Sequence, residues 1–233
     1  MITIFALKPF PIIQEGDNIA EIIVEMTSQD LNKLQDGDVL VIAHTIISKA
    51  EGQIISLDTV QPSDFAQYFA KEGEKDPRLV EIILRQARSI VRMSPSLLIT
   101  ETKHGFICAN SGVDRSNVSQ ERPGEEAVVL PEDPDRSARE IREYIFNRLG
   151  IRVAVIISDT FGRPLRAGTV NIAVGCSGIE PILDYRGTKD LFGYELMTTM
   201  VARADELATA AGLIMGQSDE GFPAIVIRGA RYG

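Results

Sequence analysis

The stretch RVAVIISDT, residues 152–160, constrains the fold more than any other part of the chain: it reads as a buried strand with a polar end. Two further runs share this character. DGDVLVIAHT (36–45) is a turn followed by a short buried strand, and FPAIVIRG (222–229) closes the chain's pattern as a strand. ITIFAL (2–7), GQIISL (52–57) and GTVNIAVGCSG (168–178) read as further strands, and LLITETKHGFICAN (97–110) as a hairpin around Lys103-His104-Gly105.

Helical spacing lies between these strands. Ile19, Ile22, Ile23 and Met26 predict a helix with Asp17 as its N-cap, and Ser63 caps a short helix through Tyr68. Asp76-Pro77 opens a helix expected to bury Leu79, Ile82, Ile83 and Ala87, because proline suits the first helical position. PEDPDRSAREIREYIFNRLG (131–150) places Ile141, Ile145 and Leu149 on one face, with Gly150 as its stop. Residues 194–215, YELMTTMVARADELATAAGLIM, carry a long helical pattern. Strands and helices alternate irregularly and include a hairpin. The expectation is therefore an α/β chain with a mixed parallel and antiparallel sheet and flanking helices. A length of 233 residues suits one domain, 1–233, with room for a small subdomain.

Composition narrows the function classes. A net charge of −9 argues against a nucleic-acid partner held by a general basic surface. Cys108 and Cys176, far apart in sequence, read as two thiols in a reducing compartment, and two His with two Cys give no zinc-ligand spacing. The N-terminus turns acidic too soon for a secretory leader, and no apolar run approaches the roughly 20 residues that span a bilayer. The expected location is the cytoplasm.

Four stretches can carry chemistry. ANSGVDRSN (109–117) gathers two asparagines, two serines, a glycine and Asp114. A lone aspartate there ordinarily closes a structural turn, so a functional reading needs partners. Ser158-Asp159-Thr160, followed by Phe161-Gly162-Arg163, puts oxygen ligands at the end of a buried strand, where open sheets place ligands and where a hard divalent cation is served. In LIMGQSDEGFPAIVIRG (213–229) two glycines bracket Gln217, Ser218, Asp219 and Glu220, as in loops whose amides cradle phosphates. AHTIISKAEG (43–52) offers Lys49, a point charge suited to phosphate, read as a loop residue after a strand. Arg163, Arg166, Arg186 and Lys189 are further cations for an anionic substrate or for the solvated surface. The standard phosphate loop and a strand-linked GxGxxG are both absent from the sequence. No Ser/His/Asp or Cys/His arrangement stands out, and His104 reads as a hairpin-turn residue.

These stretches are not independent. PIIQEGD (11–17), DGDVLVIAHTIISKAEG, ANSGVDRSNV, LPEDPDRSA, ISDTFGRPLRAGTVNIAVGCSG, RGTKDLFGYEL and MGQSDEGFPAIVIRG, in this order, resemble the coenzyme F420-0:gamma-glutamyl ligase family over about residues 8–229. The resemblance implies an unusual ligase fold without a standard phosphate loop, and a homodimer. The implied reaction is GTP-dependent: L-glutamate is joined to the carboxylate of coenzyme F420-0, a deazaflavin precursor, through an acyl phosphate, and a further glutamate is then γ-linked. It implies a divalent metal, Mn2+ or Mg2+, with K+ as a further candidate cation.

By the same resemblance the metal ligands are Asp114, Asp159, Thr160 and Gln217, the last an amide where some members carry a carboxylate. The nucleotide contacts are Pro11, Ile12, Ile13, Gln14, His44, Thr45, Lys49, Asn117 and the loop Met215, Gly216, Gln217, Ser218, Asp219, Glu220, Gly221, Phe222. His44 stands where the family pattern has a small polar residue. Asp114, Asp159 and Lys49 are the expected catalytic residues. Charge and position add Arg163, with Arg166 beside it, as groups that bind substrate carboxylates or phosphates. No flavin-binding domain of the kind fused to some bacterial relatives accompanies this region, so the expected activity is that of the ligase half. Three other readings share parts of this pattern: a ligase acting on a folate-like acceptor, a metal-dependent phosphohydrolase built on Asp159, and a non-catalytic nucleotide-binding protein.

Overall fold

In a computed structural model, which describes residues 1–28 and 33–230, the three apolar runs of the sequence lie side by side. The elements in chain order are β1 (Thr3–Ala6), α1 (Ile19–Met26), β2 (Val39–Ala43), α2 (His44–Ala50), β3 (Ile54–Ser56), α3 (Asp64–Gly73), α4 (Pro77–Gln86), β4 (Ala87–Ser94), β5 (Leu97–Thr102) and β6 (Ile107–Ala109). They continue with β7 (Glu126–Val128), α5 (Pro134–Leu149), β8 (Ala154–Gly162), β9 (Thr169–Ser177), β10 (Leu183–Asp184), β11 (Met200–Val201), α6 (Arg203–Met215) and β12 (Ala224–Arg228).

The main sheet has five strands in the order β1-β12-β2-β8-β9. Only β2 and β8 run parallel; the other three pairings are antiparallel, so the sheet is mixed as expected. The central strands are apolar on both faces because both are covered. Leu40, Ile42, Val155, Ile157, Ala224 and Val226 pack with α1, α2 and α5. Val39, Val41, Ala154, Ile156, Ile225 and Ile227 pack with α6. That helix presents Ala204, Ala208 and Ala211 to the sheet, small residues that let its backbone come close. Each fully buried Ile or Leu contributes about 1.5–3 kcal/mol relative to exposure. A separate apolar cluster joins α3 and α4 to Leu57, Leu98, Val113, Ala127 and Val129.

Several local expectations change. The N-cap of α1 is Asn18, whose side chain accepts from Glu21 N. Asp17 closes the preceding turn instead, its Oδ2 accepting from Gln14 N at 2.7 Å. In α4 the buried residues are Val80, Ile82 and Ile83, while Ala87 begins β4 and Leu79 is only half-buried. Leu149 of α5 is exposed, although Gly150 ends that helix as the sequence suggests; Asp133 caps its start.

The largest change is in residues 194–215, where helix forms only from Arg203 onward. The earlier amides have other acceptors: Phe192 N and Tyr194 N donate to Asp190 Oδ1, and Leu196 N donates to the Thr188 carbonyl. Met200 and Val201 then pair with Leu183 and Asp184. The segment AHTIISKAEG also changes. A helix begins at His44 without a loop, so Lys49 is helical. No helix among the described residues is long and apolar enough to cross a membrane.

One ion pair ties the sheet to the turn before β2. Asp38 is 1 % exposed on its side chain, and Arg228 of β12 grips it in bidentate fashion, at 2.9 Å from Nε and 2.7 Å from Nη2. Removing the cation leaves a buried carboxylate without that partner, a change that costs about 3 kcal/mol or more. Arg228→Ala is therefore expected to lower the stability of the protein by about 3 kcal/mol in urea titration. A loss below about 1 kcal/mol, the range of an exposed pair, would contradict this.

Candidate functional site

The parallel pairing of β2 and β8 builds the centre of the site. Ala43 is in register with Ser158, so the next residues, His44 and Asp159, emerge side by side at the same end of the sheet. The β8–β9 pairing is irregular between Ile157 and Ser158. Such bulges re-aim the side chains that follow them. His44 Nε2 lies 3.3 Å from Asp159 Oδ1, and Thr160 N donates to the same oxygen at 2.6 Å. Thr160 Oγ1 donates to Gln217 Oε1 at 2.6 Å, and Gln217 Nε2 donates to Asn171 Oδ1 at 2.9 Å. Asn171 is buried on β9 and opposite Thr160; its Nδ2 approaches the Met215 sulfur at 3.4 Å.

A second chain of contacts reaches the same loop. Lys49 Nζ donates to the Asn117 carbonyl at 2.6 Å, and Asn117 Nδ2 donates to the Ser218 carbonyl at 3.0 Å. Asn117 has φ of 54°, a left-handed backbone that asparagine tolerates better than most residues. Burial pulls the Lys49 ammonium below the usual lysine pKa, opposed by the nearby Glu126 carboxylate. A half-buried ammonium of this kind favours the approach of an anion.

The loop between α6 and β12 is shaped by its own carboxylate. Glu220 Oε2 accepts from Gln217 N at 3.1 Å and from Ser218 N at 2.8 Å. The Ser218 amide chiefly holds this carboxyl below its usual pKa, with the Glu220 and Gln217 amides adding to the effect. Gly216 has φ of 72° and ψ of −169°, a conformation that is essentially glycine's alone. A Cβ there would also sit 2.0 Å from the Glu220 carboxyl carbon. Beyond the loop, Ala43 N donates to the Pro223 carbonyl at 2.8 Å, which fastens it to β2.

The structure thus brings together His44, Lys49, Asn117, Asp159, Thr160, Gln217, Ser218 and Glu220. Thr45 is half-buried on α2. Met215 is buried with the α6 core, so its side chain is a packing group beneath the loop. Asp219 and Gly221 are exposed on the loop, and Phe222 lies under Lys8, whose Nζ is 5.5 Å from the ring centroid. Pro11, Ile12 and Gln14 are exposed in the segment that follows Lys8, whereas Ile13 is buried in the α1–α2–α5 core.

Asp114 closes its own turn. Its backbone pairs with Val128, Oδ1 accepts from Arg115 N and Ser116 N, and Oδ2 accepts from Ser116 Oγ at 2.5 Å. Among the described residues no hydrogen bond or ion pair joins it to Asp159, Thr160 or Gln217. Arg163 folds onto its own β8–β9 turn, its guanidinium donating to the Ala167 and Gly168 carbonyls, and Arg166 is exposed there. Arg186 pairs with Asp184. His104 turns the β5–β6 hairpin, with Nε2 2.9 Å from the Pro131 carbonyl oxygen.

Both thiols are free. Cys108 has its pKa pushed up to about 11 by burial, with Asp159 adding to the rise, which makes it a poor nucleophile at neutral pH. Sequence reading missed Asn171, Ser48 and Glu126. The usable signal was an asparagine inside the apolar run GTVNIAVG, since a buried amide needs partners.

No cluster of three His, Cys, Asp or Glu side chains among the described residues converges on a metal position. The donors available at the end of β8 are oxygens: Asp159 Oδ2, Thr160 Oγ1 and Gln217 Oε1. That set fits a hard cation that completes its shell with water and phosphate oxygens, as Mg2+ commonly does. The amide of Gln217 also locks the loop onto the sheet. Gln217→Leu is expected to cost about 1–2 kcal/mol in urea titration, because Asn171 loses its partner while buried. An unchanged midpoint would show that the loop is held by other contacts.

The comparisons with known proteins give the family. The family model described as F420-0:Gamma-glutamyl ligase matches residues 9–229. A coenzyme F420:L-glutamate ligase of Methanopyrus kandleri is 51% identical over 228 residues, covering 97% of this chain and 87% of its own length. The enzyme of the same name from Methanothermobacter thermautotrophicus is 48% identical over 232 residues, 100% of this chain and 90% of its own. That of Methanocaldococcus jannaschii is 49% identical over 222 residues, 94% of this chain and 85% of its own. The chain therefore belongs to the F420-0:gamma-glutamyl ligase family.

Proposed function

We propose that the protein is a cytoplasmic, GTP-dependent ligase that joins L-glutamate to the carboxylate of coenzyme F420-0 and then γ-links a further glutamate. The observation that carries this reading is the meeting of α2, the end of β8 and two loops, those of Asn117 and of Gln217 and Ser218, at one end of the β2–β8 pair. Lys49, Asn117 and Ser218 form one hydrogen-bonded chain, and Asp159, Thr160 and Gln217 form the other.

A carboxylate is a poor acyl donor because oxide is its leaving group. One oxygen of the acceptor carboxylate attacks the γ-phosphorus of GTP, the bond to the β-phosphate oxygen breaks, and GDP leaves with an acyl phosphate remaining. The glutamate nitrogen then attacks the acyl carbon, phosphate departs, and the nitrogen loses a proton. Both steps depend on positioning and charge neutralisation. Lys49 supplies a positive point charge to the phosphates, and the Gln217 and Ser218 amides, now on Glu220, are the donors to anionic oxygens. Asp159, Thr160 and Gln217, with Asp114 from the neighbouring loop, are the groups that hold Mn2+ or Mg2+, with K+ as a further cation. When bound, such a cation neutralises phosphate charge. Arg163 and Arg166 are the cations we assign to substrate carboxylates.

The dimer is part of this reading. Leu191 and Phe192 are 91% and 92% exposed, and Tyr194, Met197 and Met200 are exposed beside them in sequence. Large apolar side chains left to solvent this close together in sequence suit an interaction site. A second copy of the chain is the partner we assign to it.

Three measurements test the proposal. With F420-0, GTP, L-glutamate and Mn2+, mass spectrometry is expected to show a product heavier by one glutamyl residue, lost in Asp159→Asn. A folded protein that binds GTP yet gives no such product would contradict the acceptor. Lys49→Met is expected to raise the KM for GTP by about tenfold or more, the effect of losing roughly 1.4 kcal/mol of binding; an unchanged value would remove Lys49 from the nucleotide site. Replacing Leu191 and Phe192 by serine is expected to shift the mass in light scattering from dimer to monomer. A dimer that persists would place the interface elsewhere.

A further inference from the structure

His44 opens α2 and is 4 % exposed. Its two ring nitrogens face different partners: Nε2 lies 3.3 Å from Asp159 Oδ1, and Nδ1 lies 3.4 Å from Ser48 Oγ. The neutral tautomer that serves both carries its proton on Nε2. It donates to the carboxylate and accepts from the Ser48 hydroxyl. Asp159 Oδ1 also accepts from Thr160 N at 2.6 Å, so this oxygen has two donors. Oδ2 has no hydrogen bond among the described residues.

We propose that His44 is a positioning residue, which anchors Oδ1 of Asp159 and leaves Oδ2 as the oxygen presented to a divalent cation. This rests on the reading of Asp159 as a cation ligand given above. It differs from the expectation that His44 contacts the nucleotide. To do so the ring would have to leave a buried position and abandon both partners. The arrangement also joins two parts of the site. His44 and Lys49 share the seven-residue helix α2, so the group that steadies the cation ligand and the group suited to phosphate move as one body. Partners that orient a ligating side chain typically change metal affinity by about 10–100-fold when they are removed.

The test uses the nucleotide-free protein titrated with Mn2+ alone, with free Mn2+ read by electron paramagnetic resonance. His44→Phe keeps the ring volume without the donor and is expected to weaken Mn2+ binding by about tenfold or more. His44→Gln keeps an N–H donor at similar reach and is expected to bind Mn2+ within about threefold of the parent, a rescue that a purely structural role would not produce. His44→Asn, whose amide is too short to reach Asp159, replaces the Phe variant if that one does not fold. Parent-like Mn2+ affinity in the donor-less variant, with Asp159→Asn weakened, would overturn the role of His44 and leave the cation site standing. A raised KM for GTP with Mn2+ affinity unchanged would return His44 to the nucleotide. Parent-like Mn2+ binding in Asp159→Asn would overturn the cation reading itself, and this inference with it.

Discussion

The parallel register of β2 against β8 is the constraint on which the rest depends. Pairing Ala43 with Ser158 makes His44 and Asp159 neighbours although 114 intervening residues separate them in the chain. It also fixes where α2 begins, and so where Lys49 sits. β12 lies on the other side of β2 and delivers the loop that carries Gln217, Ser218 and Glu220 to the same end. A parallel pair requires a long crossover. Here the crossover contains α2 to α5 and the segment with Asn117, so the connection that the topology demands also supplies a wall of the site.

Polar groups at this end are arranged in chains instead of a single charged cluster. Buried His44 is partnered by Asp159 and Ser48, and buried Asn171 by Met215 and by exposed Gln217, which in turn meets Thr160. Leaving any of them unpaired would cost more than the bond contributes, so these side chains specify one arrangement of the loops. Glu220 has a different place. Its carboxylate sits on two backbone amides that are otherwise free to meet an anion, and Gly216 leaves the room for it.

Much of this was legible in the sequence. Buried strands announce themselves by composition, so VLVIA, AVIIS and AIVIR were placed correctly, and caps such as Ser63 and Asp76 marked their helices because a side-chain acceptor before an apolar pattern has one main use. The motifs around Asp159 and Gln217 pointed to one end of the sheet. The failures have physical causes. Residues 194–202 carry apolar spacing that suits a helix, but their amides are claimed by Asp190 and by the β10–β11 hairpin. AHTIISKAEG reads as a loop after a strand because seven helical positions are too few for their periodicity to be told from a loop. The tie from His44 to Asp159 was beyond reach, since it depends on register between distant strands. Asp114 illustrates the converse: its turn chemistry was visible at once, and the structure shows that turn fully formed.

The central claim is that α2, the end of β8 and the loops carrying Asn117 and Gln217 close on one nucleotide. Hydrogen exchange followed by mass spectrometry, with and without GTP and Mg2+, tests it without substitution or turnover. The account predicts joint protection of peptides covering 43–50, 113–118, 158–161 and 215–222. Protection confined to the cleft between α1, α2 and α5, lined by Asp17, Glu51 and Tyr144, would contradict it and move the nucleotide to the other flank of α2.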